Sequence, residues 1–252
     1  TSFIDENGNP GVCALETDLQ INIINTNLFT TINGCSSYTL PAITFGGYYT
    51  APLGGGLLID PNVPITTSQV IYYYANTTLL PNCSDNLNYN IIINPLPLVD
   101  VIPSGVYCGE FVLPVLTNGS YYTLPGGPTT LGQIPLFAGN IIDLSGVRLN
   151  PGTYYVFNGP DANGCSNELS FTINLNPFPP TDGVLDRFEC TPYSIAQPVN
   201  GTIYTASGGP SGGGTVVLPT TVFSATQTFY IYNIDTVTSC TINRPFTVTY
   251  SG

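Results

Sequence analysis

Three stretches of the chain alternate apolar and polar positions with a period close to two. Tyr89, Ile91 and Ile93 are spaced by Asn90 and Ile92, and Phe171, Ile173 and Leu175 by Thr172 and Asn174. Phe246, Val248 and Tyr250 are spaced by Thr247 and Thr249. Such alternation marks a half-buried β-strand. Each set stands six, eight and ten residues after a cysteine: Cys83, Cys165 and Cys240. Ten residues before each of these cysteines is a tyrosine: Tyr73, Tyr155 and Tyr230. No stretch carries a 3.6-residue apolar period with caps, so the pattern predicts strands and turns throughout.

A second column starts at Cys35, Cys108 and Cys190. Five and six residues on come Leu40-Pro41, Leu113-Pro114 and Ile195-Ala196. Fourteen residues on come Tyr49, Tyr122 and Tyr204, each followed by Thr, with Gly47, Gly119 and Gly201 shortly before. Glycine-rich turns follow at 54–56, 126–127 and 212–214. The two columns define a repeat with a first and a second cysteine. Cys13, followed by Leu19, Ile21 and Ile23, fits the second-cysteine column. The division is then 1–27, the end of a preceding repeat, followed by repeats 28–98, 99–180 and 181–252. A donor strand completing a neighbouring subunit is the other reading of 1–27. Asn94-Pro95-Leu96-Pro97 and Asn176-Pro177-Phe178-Pro179-Pro180 read as stiff, extended linkers.

In repeat 28–98 the pattern predicts strands near Ser36–Leu40, Gly47–Thr50, Gln69–Asn76 and Leu87–Asn94. Several short strands in about 75 residues imply an all-β fold: tandem immunoglobulin-like antiparallel β-sandwich repeats. Seven cysteines without a CxxC or any His favour disulfides in an oxidising compartment over zinc. Sequence does not fix connectivity. The simplest pairing is one bridge inside each repeat, Cys35–Cys83, Cys108–Cys165 and Cys190–Cys240, with Cys13 bonded to a cysteine outside the chain.

Composition narrows the chemistry. The chain of 252 residues has 3 Lys+Arg against 15 Asp+Glu, a net charge of −12, and no His. All three basic residues are arginines, Arg148, Arg187 and Arg244, so Lys is absent too. A Ser-His-Asp triad, a Schiff base and a His-ligated metal are therefore excluded. Three arginines cannot neutralise a row of phosphates, so nucleic acid is not an expected partner. No apolar run approaches the ~18 residues of a membrane helix, so no membrane insertion is expected in this segment. The acidic residues do not recur in the repeat columns, no cofactor is expected, and the chain does not read as an enzyme.

Four groups of residues are candidate sites. Asp5 and Asn7, and Asp161 and Asn163, offer oxygens in turns where calcium could sit, without the spacing of an EF-hand loop. Tyr73, Tyr155 and Tyr230 are candidates for stacking on sugar rings; the alternative is a structural, hydrogen-bonded tyrosine. Asn76, Asn118 and Asn200 begin N-glycosylation patterns.

The set Cys-x4-Leu-Pro, Gly-x-Tyr-Tyr-Thr, glycine-rich turn, Ile-Tyr-Tyr-Tyr and Asn-Gly-Cys-x5-Phe-Thr-Ile resembles tandem repeats of very large cell-surface proteins of Bacteroidota. These are gliding-motility adhesins of the SprB kind and related cargo of type IX secretion. The resemblance covers 28–252; the third repeat departs from it at Ile195-Ala196 and Ser239-Cys240. It implies extracellular display and a stalk or filament serving adhesion or gliding. Its partners would be further repeats of the parent chain or neighbouring subunits, and surface polysaccharide. Asp235-Thr236-Val237 resembles the O-glycosylation acceptor of that phylum, which makes Thr236 a modification candidate. The expected function is a non-enzymatic stalk or fibre segment of a secreted adhesin; the alternatives are an array of carbohydrate-binding sandwiches and a self-assembling filament subunit.

Overall fold

A computed structural model describes residues 30–76 and 84–252. Segment 1–27, with Asp5, Asn7 and Cys13, lies outside the described residues, and so does Cys83.

In 30–94, β1 (Thr30–Cys35), β2 (Gly47–Ala51), β3 (Gly55–Ile59), β4 (Gln69–Asn76) and β5 (Ser84–Asn94) form one sheet ordered β1-β5-β4-β2-β3. β4 and β5 are the alternating runs of the sequence, paired antiparallel from Gln69↔Ile91 to Asn76↔Ser84. β1 runs parallel to β5, from Thr30 opposite Tyr89 to Cys35 opposite Asn94. The strand expected at Ser36–Leu40 is reduced to the bridge Tyr38↔Ile65, and the chain pairs one step earlier, through β1. That bridge forms the thin second layer. Leu40, Ile65, Ile71, Tyr73 and Ile91 are buried between the layers.

Residues 95–252 repeat the plan twice. The first copy consists of β6 (Gly105–Cys108), β7 (Glu110–Val112), β8 (Ser120–Tyr122), β9 (Pro135–Leu136), β10 (Ile141–Asp143), β11 (Gly152–Asn158) and β12 (Asn167–Asn176). Its main sheet is β6-β12-β11-β8-β9 and its second layer the pair β7-β10. The second copy has β13 (Arg187–Glu189), β14 (Thr202–Tyr204), β15 (Gln227–Ile234) and β16 (Thr241–Tyr250), ordered β13-β16-β15-β14. Its second layer is the bridge Tyr193↔Phe223. In both copies the first strand again lies parallel to the last. The only helices among the described residues are single 3-10 turns, Gly127–Thr129 and Gly209–Ser211. The fold is all-β and immunoglobulin-like, and each repeat closes its own core. Leu113, Tyr121, Ile142, Val156 and Phe171 fill one; Ile195, Ile203, Phe229 and Phe246 fill the next. Burying each of these large side chains contributes about 1.5–3 kcal/mol.

The glycine-rich turns have a packing reason. Phe157 lies under Gly127 and Tyr232 under Gly209, so close that a Cβ at either glycine would come within 2.6 Å and 2.5 Å of the ring. A side chain there would lift the turn off the aromatic face. The same two rings make edge contacts with Tyr122 and Tyr204 at centroid distances of 6.1 Å and 6.1 Å. In 99–180 the expected glycine run, the tyrosine and the aromatic residue are thus one stacked feature; in 181–252 the stacked glycine is Gly209, ahead of the expected run at 212–214.

Tyr73 departs from its column. Phe171 faces Tyr154 and Phe246 faces Phe229, pairs separated by 171 − 154 = 17 and 246 − 229 = 17 residues. Tyr89 faces Ile71, a separation of 89 − 71 = 18. The first repeat holds one extra residue in this hairpin, and a one-residue slip turns every side chain to the opposite face. Tyr73 therefore points inward, 7% exposed, and donates its hydroxyl to the Phe45 carbonyl at 3.0 Å. It is a structural tyrosine, which corrects its place among the stacking candidates. Tyr72 takes the position that Tyr155 and Tyr230 occupy, half-buried on the outer face.

Candidate functional site

The feature that can do work in this fold is a covalent clasp between consecutive repeats. Its first half is made by the parallel edge strand. β6 delivers Cys108 opposite Asn176, the last residue of β12. Cys108 thus sits at the end of its sheet from which the chain leaves for the next repeat. Gly109 follows with φ +74, and its N–H donates to the Asn176 carbonyl at 2.7 Å. Phe178 of the linker lies directly on Gly109; a Cβ there would fall 1.9 Å from the ring. Glycine and phenylalanine together press the linker onto the turn that carries Cys108.

The second half is a turn held by an aspartate. In Asp235–Cys240 the Asp235 carboxylate accepts from the Val237 and Thr238 N–H groups at 2.9 Å and 3.4 Å. The Asp235 N–H donates to the Cys240 carbonyl at 2.9 Å. Those hydrogen bonds to the charged form hold Asp235 below the ordinary carboxylate range, the Val237 N–H contributing most. Cys240 immediately precedes β16, at the end of its sheet that faces the incoming linker, and is fully buried. Asn233 ties this end to the linker by donating to the Pro180 carbonyl at 2.6 Å.

Cys108 and Cys240 are joined by a disulfide, with Cα atoms 5.5 Å apart and a sequence separation of 132. This corrects two of the expected pairings, Cys108–Cys165 and Cys190–Cys240. The reason is the parallel edge strand. Cys108 lies opposite Asn176, and Cys165 is 176 − 165 = 11 residues back along the chain from it. At about 3.3 Å per residue that is more than 30 Å. Glu189, next to Cys190, lies opposite Tyr250, and Cys240 is 250 − 240 = 10 residues back. A disulfide needs Cα atoms within about 7 Å. In 99–180 and in 181–252 the two cysteines stand toward opposite ends of one sheet and cannot meet each other. Cys35 and Cys165 are each engaged in a disulfide. Cys35 lies opposite Asn94, at the far end of β5 from Ser84; its expected partner Cys83 lies outside the described residues. Cys190 is a free, exposed thiol.

The remaining candidates find their places around the same turns. Asp161 and Asn163 belong to the second-cysteine turn of 99–180. The Asp161 carboxylate accepts from the Asn163 and Cys165 N–H groups at 2.8 Å and 2.9 Å, so it caps its own turn. Thr236 is exposed at the tip of the equivalent turn. Asn118 and Asn200 are latches: each donates its side-chain amide to an aspartate at the start of its repeat, Asp100 at 2.9 Å and Asp182 at 2.8 Å. Asn76 ends β4 and is exposed. Sequence reasoning missed Asp100 and Asp182, although both stand eight residues before a first cysteine; Asn27, just ahead of 28–98, stands there before Cys35, so the column is incomplete. Among the described residues, no group of three or more His, Cys, Asp or Glu gathers to hold a metal ion.

No protein-family model matches the chain, and neither does any curated protein sequence. Solved structures share a loose likeness. Drosophila N-cadherin EC1-4 is 13% identical, with 91% of this chain and 75% of that one covered at a TM-score of 0.22. Sidekick-1 immunoglobulin domains 1-4 are 10% identical, with 89% and 75% covered at 0.24. A Ca2+-stabilized adhesin that helps an Antarctic bacterium bind ice is 10% identical, with 83% and 66% covered at 0.23. Superpositions this loose fix neither fold nor role, and both rest on the sheets and the clasp.

Proposed function

We propose that the chain is a non-enzymatic, load-bearing segment of an extracellular adhesive fibre, in which successive β-sandwich repeats are tied to one another by disulfides. The Cys108–Cys240 bond carries this reading. Such a bond persists in an oxidising, extracytoplasmic setting. It links two repeats that each already have a closed core, so its effect falls on the connection between them. The repeat motifs support the finer reading of a surface-anchored bacterial adhesin of the gliding kind, exported by type IX secretion and extended by further repeats of the same parent chain.

The clasp makes a mechanical prediction. Tension entering along β6 reaches Cys108, crosses to Cys240 and leaves along β16. The 239 − 108 = 131 residues from 109 to 239 lie outside that path. At about 3.5 Å per residue they represent roughly 450 Å of extensible chain. Stretching the oxidised protein by its ends in an optical trap is expected to give a fully unfolded length at least roughly 450 Å shorter than in a reductant. Equal lengths in the two conditions would remove the load-bearing reading.

A further inference from the structure

Cys108, a first cysteine, is bonded to Cys240, the second cysteine of the following repeat. Cys190 stands where Cys108 stands. Tyr107, just before Cys108, lies opposite Leu175, and Glu189, just before Cys190, lies opposite Tyr250. Leu175 and Tyr250 are each ten residues past their own second cysteine. The strand pair stays closed just beyond in both, by different bonds: Gly109, after the first strand, donates to the Asn176 carbonyl at 2.7 Å, and Ser251, after the last strand, donates to the Glu189 carbonyl at 3.0 Å. In 99–180 this position is filled by a bond to the next repeat; in 181–252 the thiol is free and exposed.

We infer that Cys190 is the open end of a disulfide register and takes the second cysteine of a further repeat of this type, the residue just ahead of that repeat's closing strand. The acceptor has stated chemistry: a thiol at the end of an aspartate-held turn, as in Asp161–Cys165 and Asp235–Cys240. The step is an oxidation of two thiols, with a small-molecule disulfide such as oxidised glutathione as the oxidant. The Cys190 thiolate attacks one glutathione sulfur and releases the other as a thiolate, which takes up a proton. The incoming cysteine thiolate then attacks Cys190 Sγ and expels the second glutathione. One S–S bond forms, one breaks, and the two electrons and two protons leave on two glutathione molecules. The inference does not depend on what the fibre displays, so it can stand or fall apart from the load-bearing reading.

The test is the full chain carrying one additional repeat after Gly252, a copy of 178–252 in one version and of 96–177 in the other. Each is oxidised in a glutathione buffer and digested with pepsin, whose acidity halts exchange. The Cys108–Cys240 peptide serves as the internal control for native folding. Expected is a new peptide joining Cys190 to the appended second cysteine, together with loss of iodoacetamide uptake at Cys190 before digestion. If Cys190 stays reactive in both versions while Cys108–Cys240 forms, or if either appended repeat bridges its own two cysteines, the register is wrong.

Discussion

At the scale of single residues, the repeats are held at their starts by charged caps. The Asp100 carboxylate takes the Asn118 amide at 2.9 Å and the Thr117 and Asn118 N–H groups at 2.5 Å and 3.1 Å. Asp182 does the same with Asn200 and Val199. These bonds favour the ionised form, and both groups lie below the ordinary carboxylate value of 3.8, the side-chain amide contributing most. A lowered folded-state pKa means stability present above the unfolded value and lost as pH falls through the folded one. Melting temperature is expected to hold down to about pH 4 and then drop, and Asp100→Ala combined with Asp182→Ala should both lower the plateau and flatten that drop. Tyr121 works at the other end of the scale. Burial, and then the charge of Asp100, push its pKa up to about 12 from 10.0. Its hydroxyl donates to the Pro114 carbonyl at 3.1 Å. Stability from this group is complete below pH 10 and lost as pH rises toward 12. Tyr121→Phe is expected to cost about 1 kcal/mol at neutral pH and to lessen the alkaline decline, to which Tyr48, Tyr73, Tyr89 and Tyr154, their pKa also raised by burial, contribute as well. Both effects are readable in urea titrations at a series of pH values. Of these residues only the tyrosine lay in a visible column, at the Tyr-Tyr pair beside Tyr122; the aspartates cap across 18 residues, and no local pattern reports a cap of that reach.

At the scale of elements, what was legible depended on whether a strand advertises its burial. β4 and β5 matched the expected runs because each has one buried face, and the alternation follows directly. β1, with the sequence Thr-Thr-Ile-Asn-Gly-Cys, has little apolar content, and β6 and β13 are three or four residues long. Their place is set by backbone pairing to the closing strand, which leaves no period to read. That omission is also why the cysteines were mispaired. A parallel first strand carries its cysteine to the exit of the sheet, whereas pairing inside a repeat assumes that both cysteines share one end. Tyr73 left the stacking column for a related reason: one extra residue in the first hairpin rotates β4 by a face, and columns counted from a cysteine cannot see a register.

At the scale of the molecule, the choice between the two pairings is open to a gel. The chain offers trypsin Arg148, Arg187 and Arg244, and the last precedes Pro245. Folded, the protein should resist. Arg187 lies in β13 and holds Glu189 at 3.2 Å, and Arg148, beside the exposed Val147, holds Asp143 at 3.5 Å and Glu110 at 3.8 Å. Unfolded in urea without reductant, after free thiols are blocked, it should be cut into 1–148, 149–187 and 188–252. With each repeat bridged internally, 188–252 would contain both Cys190 and Cys240 and would migrate alone. With Cys108 bonded to Cys240, it remains attached to 1–148 until reductant is added. The same connectivity carries the energetics. In the chain-entropy picture a loop of 132 residues is worth about 5 kcal/mol. That loop is fully open only when 99–180 and 181–252 have both unfolded. A single repeat that unfolds stays tethered at its neighbour's folded edge, so the bond opposes separation of repeats more than it stabilises either core. Release of 188–252 before reduction would return the cysteines to the interiors of their own repeats and take the force-shielding argument with them.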